Sequence, residues 1–228
     1  MMYRFFKRSF DLLCSVLALT VLSPAILLIA CGIKLSSAGP VFYKSERIGR
    51  HRHPFTMFKF RTMHLKSEQA QESQYLVNQA RIFKFGSFLR KSKLDELPQL
   101  LNVLLGDMSI VGPRPYGRKF AGQHYVGKYE QILDVRPGLA CLDSLYDYTH
   151  GELFVPDEQE YRQNVLPVRT ELARLYVARK GVGLDVYCIL RTVGVMFAIV
   201  VLKKTRFGYT AWEKQASMAL TQTSAAGR

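Results

Sequence analysis

Apolar and polar positions alternate in recognisable blocks along this chain, and the first block dominates. From Leu12 to Ile33 run 22 residues without a charge, bounded by Asp11 and Lys34. About 20 apolar residues let a helix cross a bilayer, so this segment is expected to enter one. Beyond Gly39-Pro40, a turn signal, Val41-Phe42-Tyr43 predicts a short strand. Residues 54–63 alternate imperfectly and are rich in Phe, Thr and Met, so a hairpin across the basic turn Arg47–His53 is expected. Residues 64–80 are polar and Gln-rich, and fit a surface helix or a loop equally. Leu97, Leu100, Leu101 and Leu104 fall at i, i+3, i+4 and i+7, which predicts a helix that Gly106 stops. Pro98 suits its first turn and thereby places Asp95 and Glu96 at its N-terminus. Pro113, Pro115, Pro137 and Gly138 punctuate loops. Helices are expected over Glu171–Lys180 and Leu184–Leu202; the second has 11 uncharged residues after Arg191, too few to span. It is expected to bury an apolar face in the domain or to lie on the membrane surface. The Ser/Thr/Ala-rich end from Gln215 is expected to fray.

The apolar block admits three readings. A single transmembrane anchor conflicts with its flanks. Arg4, Lys7 and Arg8 precede it, while Lys34, Lys44, Arg47, Arg50 and Arg52 follow, and short basic flanks both favour the cytoplasmic side. A lipoprotein signal is suggested by Leu28-Ile29-Ala30-Cys31, but the run is long for a signal core and basic residues follow too soon. A re-entrant hairpin satisfies both flanks. Pro24 lacks an N–H and clashes with the carbonyl of Thr20, and the Ser23 hydroxyl can bond a freed carbonyl. Each half is then roughly 16 Å long, about half the ~30 Å hydrocarbon core. The expected architecture is α+β and mostly helical. Residues 1–34 form a re-entrant helix-break-helix, 35–214 a small cytoplasmic globular domain, and 215–228 a flexible tail.

Charge sharpens the picture. The 228 residues carry a net +14, and 48% are hydrophobic, which excludes a disordered chain. The charge is uneven: +12 over 1–94, −6 over 95–160 and +8 over 161–228. A basic chain with an acidic middle suggests anionic partners around a site that holds carboxylates. Cysteines at 14, 31, 141 and 188 form no C-x-x-C, which argues against a zinc ribbon or a disulfide scaffold.

The pair Asp95-Glu96 is the candidate chemistry. Carboxylates at a helix start can simply complement the helix dipole. Here Arg90, Lys91 and Lys93 lie within five residues, and Arg114 follows in Gly112-Pro113-Arg114-Pro115. Carboxylates, cations and a helix start together suit a phosphate–Mg²⁺ site, and an Asp can attack phosphorus to form an acyl phosphate. No P-loop, no G-x-G-x-x-G and no G-x-S-x-G serine elbow is present. The aromatics among basic residues at 42–61 fit base stacking or a membrane interface.

These residues resemble the bacterial sugar transferases, the monotopic phosphoglycosyl transferases, along about 190 residues. The matching segments are Lys7-Arg8 with Phe10-Asp11, Ser23-Pro24, Gly39-Pro40-Val41-Phe42 and Lys59-Phe60-Arg61-Thr62-Met63. They continue with Leu89-Arg90-Lys91, Leu94-Asp95-Glu96-Leu97-Pro98-Gln99, Asn102-Val103, Met108-Ser109, Val111-Gly112-Pro113-Arg114-Pro115 and Arg136-Pro137-Gly138. The resemblance implies an enzyme at the cytoplasmic face of the bacterial inner membrane. It would move a sugar 1-phosphate from a UDP-sugar to polyprenyl phosphate and release UMP, an early membrane step of glycan assembly. It implies that Asp95 is the nucleophile of a ping-pong reaction and that Glu96, with Asp95, holds Mg²⁺. Lys59, Arg61, Arg90, Arg114 and Arg136 are expected to bind substrate phosphate or nucleotide, and Ser23 and Pro24 to break the membrane helix.

The chain departs from the family pattern at Leu139-Ala140-Cys141-Leu142-Asp143 and at Ala178-Arg179-Lys180-Gly181, which bears on the sugar more than on the reaction. A non-catalytic basic protein bound to anionic membrane lipid explains the charge and the apolar block but not the ordered motifs. A nucleic-acid binder leaves residues 12–33 unexplained, so no nucleic-acid partner is expected.

Overall fold

The structure, a computed structural model, describes residues 2–65, 81–151, 155, 157–204 and 206–226. The Gln-rich stretch expected as helix or loop lies, from residue 66 to 80, outside the described residues. The fold is α+β and mostly helical, as expected, with little sheet.

Helix α1 (Met2–Ser36) is one hydrogen-bonded helix through Pro24, where two half-helices were expected. Local side chains account for its continuity. Ser23 Oγ donates to the carbonyl of Thr20 at 2.8 Å, the acceptor that Pro24 cannot serve, and Thr20 Oγ1 donates to Val16 at 2.9 Å. Burial along α1 is confined to two places, Asp11 with Ser15 and Ile29 with Ile33, while Val16, Leu17, Val21, Leu27 and Leu28 between them are exposed.

Both buried places touch the rest of the molecule. At the first, Asp11 Oδ1 accepts from Ser109 Oγ and Ile110 N, and Arg8 donates to the carbonyls of Val103 and Leu104. At the second, Ile29 and Ile33 pack with Phe60, Phe83 and Leu89. A Cβ on Gly32 would press on the Phe85 ring, so a larger residue there would have to displace that side chain.

The expected hairpin is present. Strands β1 (Phe42–Ile48) and β2 (Pro54–Phe60) pair antiparallel, from Phe42 opposite Phe60 to Ile48 opposite Pro54. After α2 (Lys84–Lys91), a 3₁₀ turn at Leu94–Glu96 leads into α3 (Gln99–Leu105). Strand β3 (Ser109–Val111) pairs in parallel with β4 (Gly138–Ala140), and α4 (Arg118–His124) and a 3₁₀ stretch at Gly127–Asp134 form the crossover. A Cβ on Gly112 or Gly138 would strike the facing backbone, so these two glycines allow the loops after β3 and before β4 to touch.

The largest core gathers around α5 (Leu142–His150) and α7 (Leu166–Arg179), with α6 (Glu158–Glu160) and a π turn at Tyr161–Val165 leading into α7. α7 starts five residues earlier than expected. It is buried nearly all round, so it shows no one-sided apolar stripe to read.

Helix α8 (Val182–Val200) corresponds to the second expected helix. By length and composition it is apolar enough to cross a membrane, although it carries Asp185 and Arg191. Its start is tied to the domain: Tyr3 and Lys7 donate to Asp185 Oδ2 and Tyr176 to Oδ1, all within 2.8 Å. The end expected to fray is instead α9 (Ala211–Ala226), docked along α7 through Ala216, Trp212 and Leu220. Three apolar contacts in the right place outweigh a weakly patterned sequence.

Candidate active site

Lys93 initiates the site. Its left-handed backbone (φ 57°) reverses the chain after α2 and leads into the 3₁₀ turn Leu94–Glu96. Leu94 and Leu97 face the apolar cluster around Phe60 and Leu89, so the turn is held on both sides of the acids. Asp95 and Glu96 therefore lie in a turn one step before α3, rather than in its own first turn. Both are buried, at 6% and 8% exposure, which no dipole-capping surface pair would need to be.

Asn102 fixes the distance from this turn to the hairpin. Fully buried on α3, it donates to Thr56 O at 2.7 Å and accepts from Phe58 N at 3.0 Å. β2 is thus clamped to α3, and Lys59 arrives with its Nζ 2.7 Å from Glu96 Oε1. Arg114, on the loop after β3, reaches the same oxygen at 3.5 Å. The backbone N–H of Arg114 donates to Asp143 Oδ2 on α5 at 3.1 Å, which anchors that loop from below.

The two acids have different electrostatics. For Glu96, burial works against ionisation, but Lys59, Arg114 and Lys93 outweigh it and hold the carboxyl well below the usual range. For Asp95, burial wins and raises the carboxyl above its ordinary value; Lys59, Lys93 and Arg90 pull the other way. Burial lowers Lys59, and the nearby Arg114 adds to that, while Glu96 opposes both. Asp95 Oδ1 is buried with no hydrogen-bond partner. A desolvated, unpartnered carboxylate oxygen surrounded by cations is a competent nucleophile toward an anion that brings its own charge.

The expected site residues separate into two groups. Lys59 and Arg114 converge on Glu96, and the charge of Arg90 favours the ionised form of Asp95. Arg61 does not converge there: its guanidinium donates to Pro40 O, Ser37 O and Ser37 Oγ between 2.6 and 2.9 Å, joining the end of α1 to the hairpin. Arg136 likewise donates to Gly106 O at 2.7 Å, behind α3. Both were expected at substrate phosphate; in the structure backbone carbonyls accept from these two guanidinium groups.

Sequence reasoning missed the layer beneath. Asp147 on α5 pairs with Arg169 on α7 at 3.1 Å and accepts from Tyr161, which also contacts Arg169. Arg169 raises no suspicion in sequence because it sits between apolar positions of a buried helix. Lys93 lies over the Tyr148 ring at 4.5 Å, so α5 supports the turn that carries the dyad.

Mg²⁺ is the expected cofactor. Among the described residues, no group of three or more His, Cys, Asp or Glu converges. Two adjacent carboxylates, one with an unpartnered buried oxygen, fit a hard cation whose other oxygens come from phosphate and water.

A buried Asp-Glu turn, clamped by a lysine and an arginine, is set beside an apolar helix whose middle is exposed. The chain belongs to the bacterial sugar transferase family, whose pattern matches residues 2–199. A UDP-glucose:undecaprenyl-phosphate glucose-1-phosphate transferase of Xanthomonas campestris pv. campestris is 47% identical over 133 residues, 57% of this chain and 27% of the relative. A UDP-N-acetylgalactosamine-undecaprenyl-phosphate N-acetylgalactosaminephosphotransferase of Aeromonas hydrophila is 35% identical over 193 residues, 84% of this chain and 43% of the relative. The exopolysaccharide production protein PSS of Rhizobium leguminosarum bv. phaseoli is 43% identical over 142 residues, covering 60% and 71% of the two chains. The chain thus spans less than half the length of the first two relatives.

Proposed function

We propose that the protein transfers a sugar 1-phosphate from a UDP-sugar to polyprenyl phosphate, through a covalent intermediate on Asp95. In the first half-reaction an Asp95 oxygen bonds to the sugar-bearing phosphorus as the bond to the bridging diphosphate oxygen breaks, and UMP departs. In the second, a phosphate oxygen of the lipid attacks that phosphorus, frees the carboxylate and yields polyprenyl-diphosphate-sugar. The observation that carries this reading is the unpartnered, buried Asp95 oxygen beside a Glu96 that Lys59 and Arg114 already neutralise. One acid is left available and the other is held in place. Bound Mg²⁺ at Asp95 and Glu96 would neutralise diphosphate charge. Lys59, Arg90, Lys93 and Arg114 offset the rest, and the surrounding burial excludes water from the acyl phosphate.

The same reading has the protein on the cytoplasmic side of the inner membrane, with the continuous α1 bent at Pro24 so that both of its ends stay on that side, and anionic lipid beneath the basic flanks. Supporting it, both buried stretches of α1 rest on one globular unit while the apolar middle is bare. Screened against a panel of UDP-sugars, the purified full chain should release one UMP per chain without lipid acceptor and should turn over repeatedly only when undecaprenyl phosphate is added, with parallel double-reciprocal lines. Intersecting lines would mean that both substrates bind together and that the lipid attacks directly.

A further inference from the structure

Arg47 is the one arginine around the hairpin turn whose charge the fold leaves unanswered. Its neighbours Arg50 and Arg52 donate to carbonyls of Asp134 and Tyr125, and Arg52 also meets Glu130. For Arg47, among the described residues, no carboxylate or carbonyl accepts, and its Nε is buried without a partner. The N–H of Ile48 donates to Tyr116 O at 2.8 Å, and this bridge lays the strand at Arg47 alongside the loop that carries Arg114. One guanidinium nitrogen of Arg47 stands 3.5 Å from where a Cβ on Gly117 would lie. Burial and Arg114 both disfavour the Arg47 charge, with only the Tyr43 and Tyr116 rings on the other side.

Register adds direction. Tyr43 lies opposite Lys59, and Arg47 lies opposite Phe55. Directly opposed residues share a face, so Lys59 and Arg47 stand on the same face of the hairpin, about 13 Å apart along the strand. Arg114 lies across the interval: its guanidinium reaches Glu96, and its loop is bridged through Tyr116 to Ile48, the residue after Arg47. Lys59 and Arg114 are partly answered by Glu96; Arg47 is not. Two half-buried guanidinium groups side by side are stable together when an anion sits between them.

Accepting the transferase reading, we infer that Arg47 and Arg114 form a clamp for a second phosphate group, beyond the phosphorus that Asp95 attacks. The chemistry is that of a phosphate dianion or a diphosphate held by paired guanidinium groups. Its source is either the nucleotide's inner phosphate, which becomes the phosphate of UMP, or the head of the lipid acceptor. Arg47 then acts in binding and in supporting the leaving group, not in forming the covalent bond.

The test is Arg47→Gln and Arg47→Lys in the full chain, with undecaprenyl phosphate and a UDP-sugar that the wild type uses. Losing a charge-assisted hydrogen bond should raise the relevant KM by about 10- to 100-fold, with a smaller change in kcat. A raised KM for UDP-sugar, with weaker UMP inhibition, assigns the clamp to the nucleotide. A raised KM for lipid phosphate, with single-turnover UMP release intact, assigns it to the acceptor. Arg47→Lys should recover only part of the loss. Thermal unfolding should be unchanged or raised, because the fold gives this charge no partner. Unaltered KM values for both substrates, or a variant that loses folding stability, would overturn the inference. UDP binding measured by calorimetry separates the two readings. If the wild type turns nothing over yet Arg47→Gln weakens UDP binding, the clamp stands and the transferase reading falls. If binding of both UDP and undecaprenyl phosphate is unchanged, the clamp falls.

Discussion

Lys59 Nζ donates to Glu96 Oε1 at 2.7 Å, while Asp95, one residue earlier, keeps a buried oxygen with no partner. Adjacent acids of the same turn are thus split into a held carboxylate and a free one. Burial raises Asp95 above the ordinary 3.8, whereas Lys59, Arg114 and Lys93 overcome burial and hold Glu96 below the ordinary 4.5.

The split has opposite consequences for stability. Glu96 has a depressed folded value, so its ion pair stabilises above about pH 4.5 and is lost as the pH falls further. Asp95 has a raised folded value, so ionising it at neutral pH costs stability. At pH 7, Asp95→Asn should raise the unfolding temperature and Glu96→Gln should lower it, each by about 2–4 °C, the shift that roughly 1 kcal/mol gives a chain of this size. Thermal scans in one detergent check the signs; equal signs would mean the two acids share one environment.

The rate of single-turnover UMP release should fall on the acid side with a midpoint above 3.8, because Asp95 must be ionised to attack. Lys59 lowers the Asp95 value, so Lys59→Gln should move that acid limb to higher pH as well as slowing the reaction. Glu96→Gln should instead leave activity that demands more Mg²⁺. An unmoved acid limb in Lys59→Gln would remove Lys59 from the electrostatic account.

Arg114→Lys and Arg61→Lys should fail differently. Arg114 serves the dyad, and only its backbone N–H bonds α5, so the variant should lose activity and keep its unfolding temperature. Arg61 holds the α1–hairpin junction through Ser37 and Pro40, so its variant should lose about 2 kcal/mol or more of stability. Chemical denaturation and UMP assays on both proteins check the division.

The membrane account concerns Pro24. With Cys14 and Cys31 changed to Ser, a cysteine at Met2 should resist labelling from the periplasm, and Pro24→Ala should allow α1 to span and expose it. Periplasmic labelling of the Pro24 protein itself would contradict the re-entrant arrangement. The ties of Tyr3 and Lys7 to Asp185 work in the same direction, holding the first turns of α1 on the domain.

The hairpin, α3 and the dyad were legible because each rests on local pattern: alternation across a basic turn, a leucine stripe closed by Gly106, and acids flanked by cations. The bonds of Arg61 and Arg136 were not legible, because type and proximity in sequence do not reveal whether backbone carbonyls accept from a guanidinium. The structural roles of Asn102, Asp147 and Arg169 were not legible for the reverse reason. Their partners lie 46, 22 and 22 residues away, on elements that sequence cannot place side by side. α9 was missed because its docking depends on Ala216 and Trp212 meeting α7, not on its own periodicity.

Intact-protein mass spectrometry tests the covalent step most directly. Wild-type protein incubated with UDP-sugar and Mg²⁺, without lipid acceptor, should release one UMP per chain and gain the mass of one sugar phosphate, located by peptide mapping to Asp95 and absent from Asp95→Asn. Added polyprenyl phosphate should discharge it. No adduct in protein that turns over both substrates, together with UMP release that waits for the lipid, would contradict the account and leave Asp95 as a metal ligand or base.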